Sequence, residues 1–256
     1  MSLEDRAKPL ISVEKISKSF GSLAAVSEVS LSVNAGEIVG IAGPNGAGKT
    51  TLFNLISRIP YGSDSGTVAF NGQRIDQLPP HEIFHRGLAR TFQTETSFGK
   101  LTVEQNIRLG AVYGKRISQR EICRSVDSAL DILDLTALRK ERAGNLPVYE
   151  TKRLMIASAI VNDPKLLMLD EPASGLNSVE VDDLKKEILL LKEFGLAIIL
   201  IEHILPLLFG VSERVIVMDF GRKLSEGSPE EVAKDPAVIE AYLGGHGQEA
   251  ANALVS

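Results

Sequence analysis

Gly43, Pro44, Asn45, Gly46, Ala47, Gly48, Lys49 and Thr50, followed by Thr51, satisfy the spacing G-x-x-x-x-G-K-[ST]. The chemistry such a run supports is the holding of a polyphosphate. Glycines let the backbone curl until several N–H groups point inward, and a helix starting there adds its positive end. Lys49 then reaches the β- and γ-phosphates, and the Thr50 hydroxyl can ligate Mg²⁺. The competing explanation is a glycine-rich turn with a stray lysine. The apolar run 37–42 before the loop and the helical spacing of Leu52, Leu55 and Ile56 after it argue against that.

A second group lies downstream. The continuous apolar run 165–169 suits a strand buried on both faces of a parallel sheet, and it ends in Asp170-Glu171-Pro172. Acids at the carboxyl end of such a strand stand where ligands bind in open α/β sheets. Asp170 would hold Mg²⁺ through water and Glu171 would polarise an attacking water; two acids merely capping a strand are the alternative. The next buried run, 197–201, ends in Glu202-His203, a third polar position at a strand's carboxyl end. Gln93 is by default a surface glutamine, although its amide could ligate Mg²⁺. Phe20, just before Gly21, fits either a core phenylalanine or a flat platform for an adenine ring.

The elements that position these groups follow from periodicity. Residues 8–41 alternate apolar and polar, as in half-buried antiparallel strands. Thr67 to Phe70 reads as a short strand closed by the turn Asn71-Gly72. Pro80 opens a short helix carrying His81 and His85, four apart but with no third metal ligand nearby. Residues 101–144 are helical with no strand signal, and Ile122, Val126, Leu130 and Leu133 share a face. Pro147 interrupts the pattern, and a helix resumes from Thr151 to Val161. Ser178 is the expected N-cap of a helix running to Phe194. Val215 to Met218 reads as the last strand, and Pro229 to Leu243 as a terminal helix.

Bulk properties bound the rest. The chain has 256 residues, 44% of them hydrophobic and 24% charged, enough for one sizeable core. A net charge of −5 with no basic stripe gives no electrostatic case for nucleic acid. The single cysteine, Cys123, excludes an intrachain disulfide and reads as a small buried residue on a helix. No segment approaches 18 uninterrupted apolar residues, and the start lacks the apolar core of a signal peptide, so membrane contact is expected only through partners. Met1-Ser2-Leu3 fits a vector leader.

Taken together, five motifs resemble the ATP-binding subunit of an ABC transporter over nearly the whole chain. They are the loop 43–50, Arg90-Thr-Phe-Gln93, the run 166–172 ending in Asp-Glu-Pro, Ser174-Gly-Leu-Asn177 and Ile201-Glu-His203. The resemblance implies an α/β P-loop NTPase core with an N-terminal antiparallel β subdomain and a helical subdomain at about 94–160. The whole would form one ATP-binding domain over 8–245, with 246–256 a disordered tail. It further implies ATP and Mg²⁺ as cofactors and Phe20 as the adenine platform. Gln93 becomes the lever that senses Mg²⁺ and meets the membrane subunit, Glu171 the catalytic carboxylate, and His203 a γ-phosphate contact. Asn177 would lie in the loop joining two ATPases. Partners would be transmembrane permeases and a second ATPase subunit, with a heterodimer favoured over a homodimer, on the cytoplasmic face of the cell membrane.

Leu78-Pro-Pro-His81, Gly87 to Gln93, Gly227 to Val232 and Asp235 to Gly244 resemble the branched-chain amino acid importers in particular. The lipopolysaccharide-export ATPase shares parts of the pattern, and a weakly hydrolysing regulatory partner is a further alternative. One departure stands out. The family signature Leu-Ser-Gly-Gly-Gln aligns with Leu146-Pro-Val-Tyr-Glu150, which lacks the serine and both glycines. Pro147 has no N–H, Val148 and Tyr149 would restrict backbone and approach, and Glu150 adds charge that Lys152 and Arg153 would partly offset.

Overall fold

Alternation in the first third of the chain pairs as the pattern requires in the computed structural model, which describes residues 8–93, 97–114 and 118–242. In chain order come β1 (Ile11–Phe20), β2 (Leu23–Val33), β3 (Ile38–Ala42), α1 (Lys49–Ser57), β4 (Ser65–Phe70) and β5 (Gln73–Arg74). They are followed by α2 (Pro80–His85), β6 (Leu88–Arg90), α3 (Val103–Gly114), α4 (Gln119–Ile132), α5 (Val148–Ile160) and β7 (Leu166–Asp170). Last are α6 (Ser178–Glu193), β8 (Ala197–Ile201), α7 (Leu205–Val211), β9 (Arg214–Asp219), β10 (Arg222–Gly227) and α8 (Pro229–Ala233). The chain divides into two units, one of residues 1–80 with 197–256 and one of residues 81–196.

In the first unit, β1 lies between β2 and β4 with antiparallel register on both sides, Ile11 opposite Val33 and also opposite Phe70. Ile11 and Val13, and Ile16 past a register shift, are buried with Val29, Leu31 and Val33 of the neighbour. Asn71 and Gly72, at φ 52° and 72°, make the tight turn into β5. β3 is buried throughout and runs parallel to both β8 and β9, as a continuous apolar strand should. A Cβ on Gly40 would stand 2.6 Å from Ser212 Oγ and 2.9 Å from Leu208 Cδ1, so the end of α7 approaches β3 only because that position has no side chain.

Two expectations for this unit are corrected. β9 is not the last strand: Phe220 and Gly221 turn the chain at φ 40° and 76°, and β10 returns antiparallel. Its sequence, Arg222 to Gly227, carries little apolar signal because the strand is largely exposed. The terminal helix is also broken. α8 stops at Ala233, and helix resumes over 236–242 after Asp235, whose carboxylate accepts from Ala237 N–H (2.9 Å) and Ser225 Oγ (2.5 Å).

In the second unit, β6 and β7 pair in parallel, Arg90 beside Met168. The helical segment holds α3, α4, α5 and two short 3₁₀ turns, at Thr136–Leu138 and Ala143–Asn145. Ile122, Val126, Leu130 and Leu133 are buried as their spacing predicts, and Ser118 with Glu121 forms a capping box ahead of α4. Cys123 lies on this helix but is exposed, against expectation. α5 begins at Val148 rather than Thr151, because Pro147 occupies the N-cap, where a missing N–H leaves no bond unmade. The N-cap of α6 is Asn177, not Ser178: its side chain accepts from Val179 and Glu180, and Glu180 answers in a capping box. Residues 94–96 and the proposed tail 246–256 lie outside the described residues.

Candidate functional site

The loop after β3 has the backbone that its glycines predict. Gly43, Gly46 and Gly48 have φ of 142°, 81° and 96°, values that a side chain would strain. A Cβ on Gly43 would collide with the Met218 carbonyl oxygen, and one on Gly48 with the Ala25 carbonyl oxygen. Gly48 caps α1 with no side-chain bond, which leaves first-turn amides for a ligand. Ala47 N–H donates to the Pro44 carbonyl (3.1 Å), tightening the curl. Lys49 is 7% exposed, and its ammonium donates to the carbonyls of Gly43 (2.7 Å) and Pro44 (3.0 Å). Thr50 is exposed and Thr51 half-buried at the start of α1. This cradle fits a polyphosphate.

Phe20 is 45% exposed, which decides against a core phenylalanine. Its ring meets Tyr61 edge-on at 5.2 Å, and Lys18 Nζ stands 5.6 Å above it. Asp64 fixes that lysine at 2.6 Å and accepts Ser19 N–H at 2.8 Å, bonds that hold its carboxyl below the ordinary range. Past β8, Glu202 is fully buried and its carboxylate accepts the backbone N–H of His203 (3.1 Å). The His203 side chain is itself 56% exposed.

In the second unit, Asp170 ends β7 at 2% exposure and is paired with Arg90 at 2.8 Å, Arg90 coming from the neighbouring β6. Glu171 follows with φ 49°, a left-handed conformation that glutamate rarely adopts. Its carboxylate accepts from Gln93 Nε2 at 2.6 Å. A carboxylate only accepts, so the amide nitrogen of Gln93 must face it, which leaves the amide oxygen available. Within this unit Gln93 and Asp170 can offer oxygen ligands, the type that Mg²⁺ takes, and Thr50 of the first unit carries a hydroxyl of the same kind.

The segment 146–150 differs from expectation. Tyr149 does not project outward: it is 8% exposed, and its hydroxyl donates to Glu187 of α6 at 2.9 Å. Arg153 pairs with the same carboxylate at 2.7 Å and lies 5.0 Å from the Tyr149 ring. Burial raises the Glu187 carboxyl above its usual range despite that arginine, and raises the Tyr149 phenol as well. The ring is therefore no obstacle to approach. Arg153 is committed to Glu187 and Lys152 is buried, so the expected offset of Glu150 is lost from Arg153. Pro147 offers no side-chain cap, and the first turn presents bare amides beside Glu150.

Four residues escaped the sequence reading: Arg90, Glu202, Tyr61 and Tyr242. Arg90 and Glu202 sit inside recognised motifs, and only their burial shows that they hold neighbours in place. Tyr242 sits inside the recognised segment Asp235 to Gly244, but its partner lies far away along the chain, and Tyr61 had no signal for the same reason.

A model of the family described as ABC transporter matches residues 26–174, and one described as branched-chain amino acid ATP-binding cassette transporter matches residues 222–247. The chain is 36% identical over 253 residues to a high-affinity branched-chain amino acid transport ATP-binding protein of Pseudomonas aeruginosa, covering 93% of this chain and 99% of that one. The corresponding protein of Escherichia coli is 37% identical over the same shares. A lipopolysaccharide export system ATP-binding protein of Haemophilus influenzae is 33% identical, covering 92% and 97%. Among solved structures, a nucleotide-free ATP-binding cassette from an ABC transporter superposes with a TM-score of 0.84 at 30% identity, covering 92% of this chain and 99% of that one. An ATP-binding cassette in its ADP conformation gives 0.84 at 32%, covering 93% and 100%.

Proposed function

The chain belongs to the ABC transporter family as an ATP-binding subunit, and from this we propose that it is one of two unlike ATPases driving a branched-chain amino acid importer. It is an ATP-hydrolysing transporter subunit. The observation that carries the reading is the glycine cradle of 43–50 with Lys49 turned onto it, in a chain matched over 93% of its length by importer ATPases. The match of the importer-type model to residues 222–247 favours import of branched-chain amino acids over lipopolysaccharide export.

The chemistry is phosphoryl transfer to water. The amides of Gly46 and of residues 48–51 and the Lys49 ammonium gather the triphosphate, and Phe20 offers its face to adenine. Thr50, Gln93 and Asp170 hold Mg²⁺, which when bound neutralises charge on the β- and γ-phosphates. Glu171 orients and polarises the attacking water, and His203 steadies the γ-phosphate. Gln93, bonded to Glu171, links that carboxylate to the surface that meets a transmembrane permease. No described helix is long and apolar enough to cross a membrane. As the ATP-binding subunit of a transporter, the chain would sit on the cytoplasmic face, held by its permeases.

The segment 146–150 favours the unlike pair. The opposite subunit's nucleotide would meet bare α5 amides beside Glu150, without a serine hydroxyl, and would turn over poorly. This chain's own loop, Asp170, Glu171 and His203 are intact and would work against a partner's ordinary signature. Co-purification of the tagged chain from its native membrane tests this, with ATP turnover assayed alone and in the complex. Two permeases plus a second, different ATPase, with turnover rising several-fold in the complex, is the expected result. Equal turnover by the isolated chain overturns the unlike pair.

A further inference from the structure

The described helical stretch 236–242 carries Tyr242, whose hydroxyl accepts the backbone N–H of Gly43 at 2.7 Å across 199 positions of sequence. Gly43 is the first residue of the phosphate loop and has little slack. Its φ is 142°, and a Cβ there would collide with the Met218 carbonyl. The carbonyl of the same residue accepts the Lys49 ammonium at 2.7 Å. Gly43 is thus held through its N–H by the C-terminal helix and through its C=O by the lysine that reaches for phosphate. Burial pushes the Tyr242 phenol up to about 12, so the hydroxyl stays protonated and neutral at working pH.

We infer that Tyr242 is a positioning residue for nucleotide binding, fixing the entrance of the phosphate loop from the C-terminal helix. When Lys49 turns from the Gly43 carbonyl to a phosphate, Gly43 loses its charged partner. The bond from its N–H to Tyr242 is then the tie that keeps the loop in register. The helix is seated independently: Val238 is 1% exposed, and Asp235 caps its start through Ala237 N–H. The hydroxyl's contribution can therefore be separated from the packing of the helix. The inference rests on the reading of 43–50 as a nucleotide site.

The test measures the dissociation constant for MgATP on the full chain, and KM and kcat in the transporter complex, for wild type, Tyr242→Phe and Val238→Ala. Loss of the hydroxyl leaves the Gly43 N–H without its acceptor. Tyr242→Phe is expected to raise Kd and KM about 3- to 10-fold with kcat within about twofold. Val238→Ala is expected to lower Tm and leave Kd unchanged. Equal Kd for Tyr242→Phe and wild type overturns the inference, as does an equal rise in Val238→Ala. Hydrogen exchange of the Gly43 amide in the wild-type chain serves even if Tyr242→Phe fails to fold: protection supports the bond, and exchange at the unprotected rate overturns it. Wild-type chain that binds no MgATP overturns the nucleotide site itself, a result distinct from a normal wild type with an indifferent Tyr242→Phe.

Discussion

Gln93 donates its side-chain amide to the Glu171 carboxylate across 2.6 Å, joining the third residue past β6 to the first residue past β7. The parallel pairing of these two strands brings their carboxyl ends level and makes the bond possible. It gives Gln93 a grip, through one end of its amide, on the carboxylate proposed to be catalytic, while the other end is the one proposed for Mg²⁺. Replacing Gln93 with glutamate would set two carboxylates against each other at this spacing. Gln93→Glu is expected to lower ATP turnover about 10-fold or more while Lys49-dependent nucleotide binding persists, read by steady-state phosphate release against equilibrium binding.

Glu171→Gln keeps the size of the side chain and removes the group proposed to polarise water. Binding of ATP should be retained, turnover should fall by about 10²-fold or more, and the ATP-loaded complex should accumulate in its closed, paired form on size exclusion. Retained wild-type turnover would refute the role of Glu171.

Gly48→Ala places a methyl group against the Ala25 carbonyl at a backbone φ of 96°. The loop must open to admit it, at a cost on the order of 1–3 kcal/mol, and nucleotide affinity should fall at least 10-fold. Gly72→Ala is the control. It also has positive φ, at 72°, but meets nothing within 4 Å and lies in a distant turn, so it should cost stability without touching affinity.

Glu187 gives the fold a pH signature. Its carboxyl is raised in the folded chain, chiefly by burial. Below the unfolded carboxylate range, at about pH 4.3, both states are protonated and its contribution is fully present. As pH rises through the raised folded value, the unfolded chain has already released a proton that the folded chain retains, so this stability is lost. Thermal melts of wild type and Glu187→Gln over about pH 4 to 8 should differ in slope, the variant being the flatter.

Much of this was legible in the sequence, for reasons particular to certain residues. The phosphate loop announces itself because glycine is the residue that escapes the Met218 and Ala25 carbonyls, so sterics are written directly into residue type. The buried strands β3, β7 and β8 are continuous apolar runs, and α4 shows its buried face at spacings of four and three. Legibility failed where burial depends on what packs alongside. Tyr149 reads as an obstacle until its hydroxyl is found on Glu187, and Cys123 reads as buried although the core-facing side of α4 is carried by its neighbours. β10 is nearly invisible because an exposed strand held by its pairing with β9 needs no apolar pattern.

Glu171 sits at φ 49°, a backbone setting that asparagine and glycine accept more readily than glutamate. Replacement by glycine or asparagine there would relax the main chain at the same stroke that removes the carboxylate proposed to polarise water. Laboratory evolution of this chain for heat resistance, run without an ATP-dependent readout, would accordingly drift toward dead enzyme, and thermostable clones should be genotyped at this position before any other.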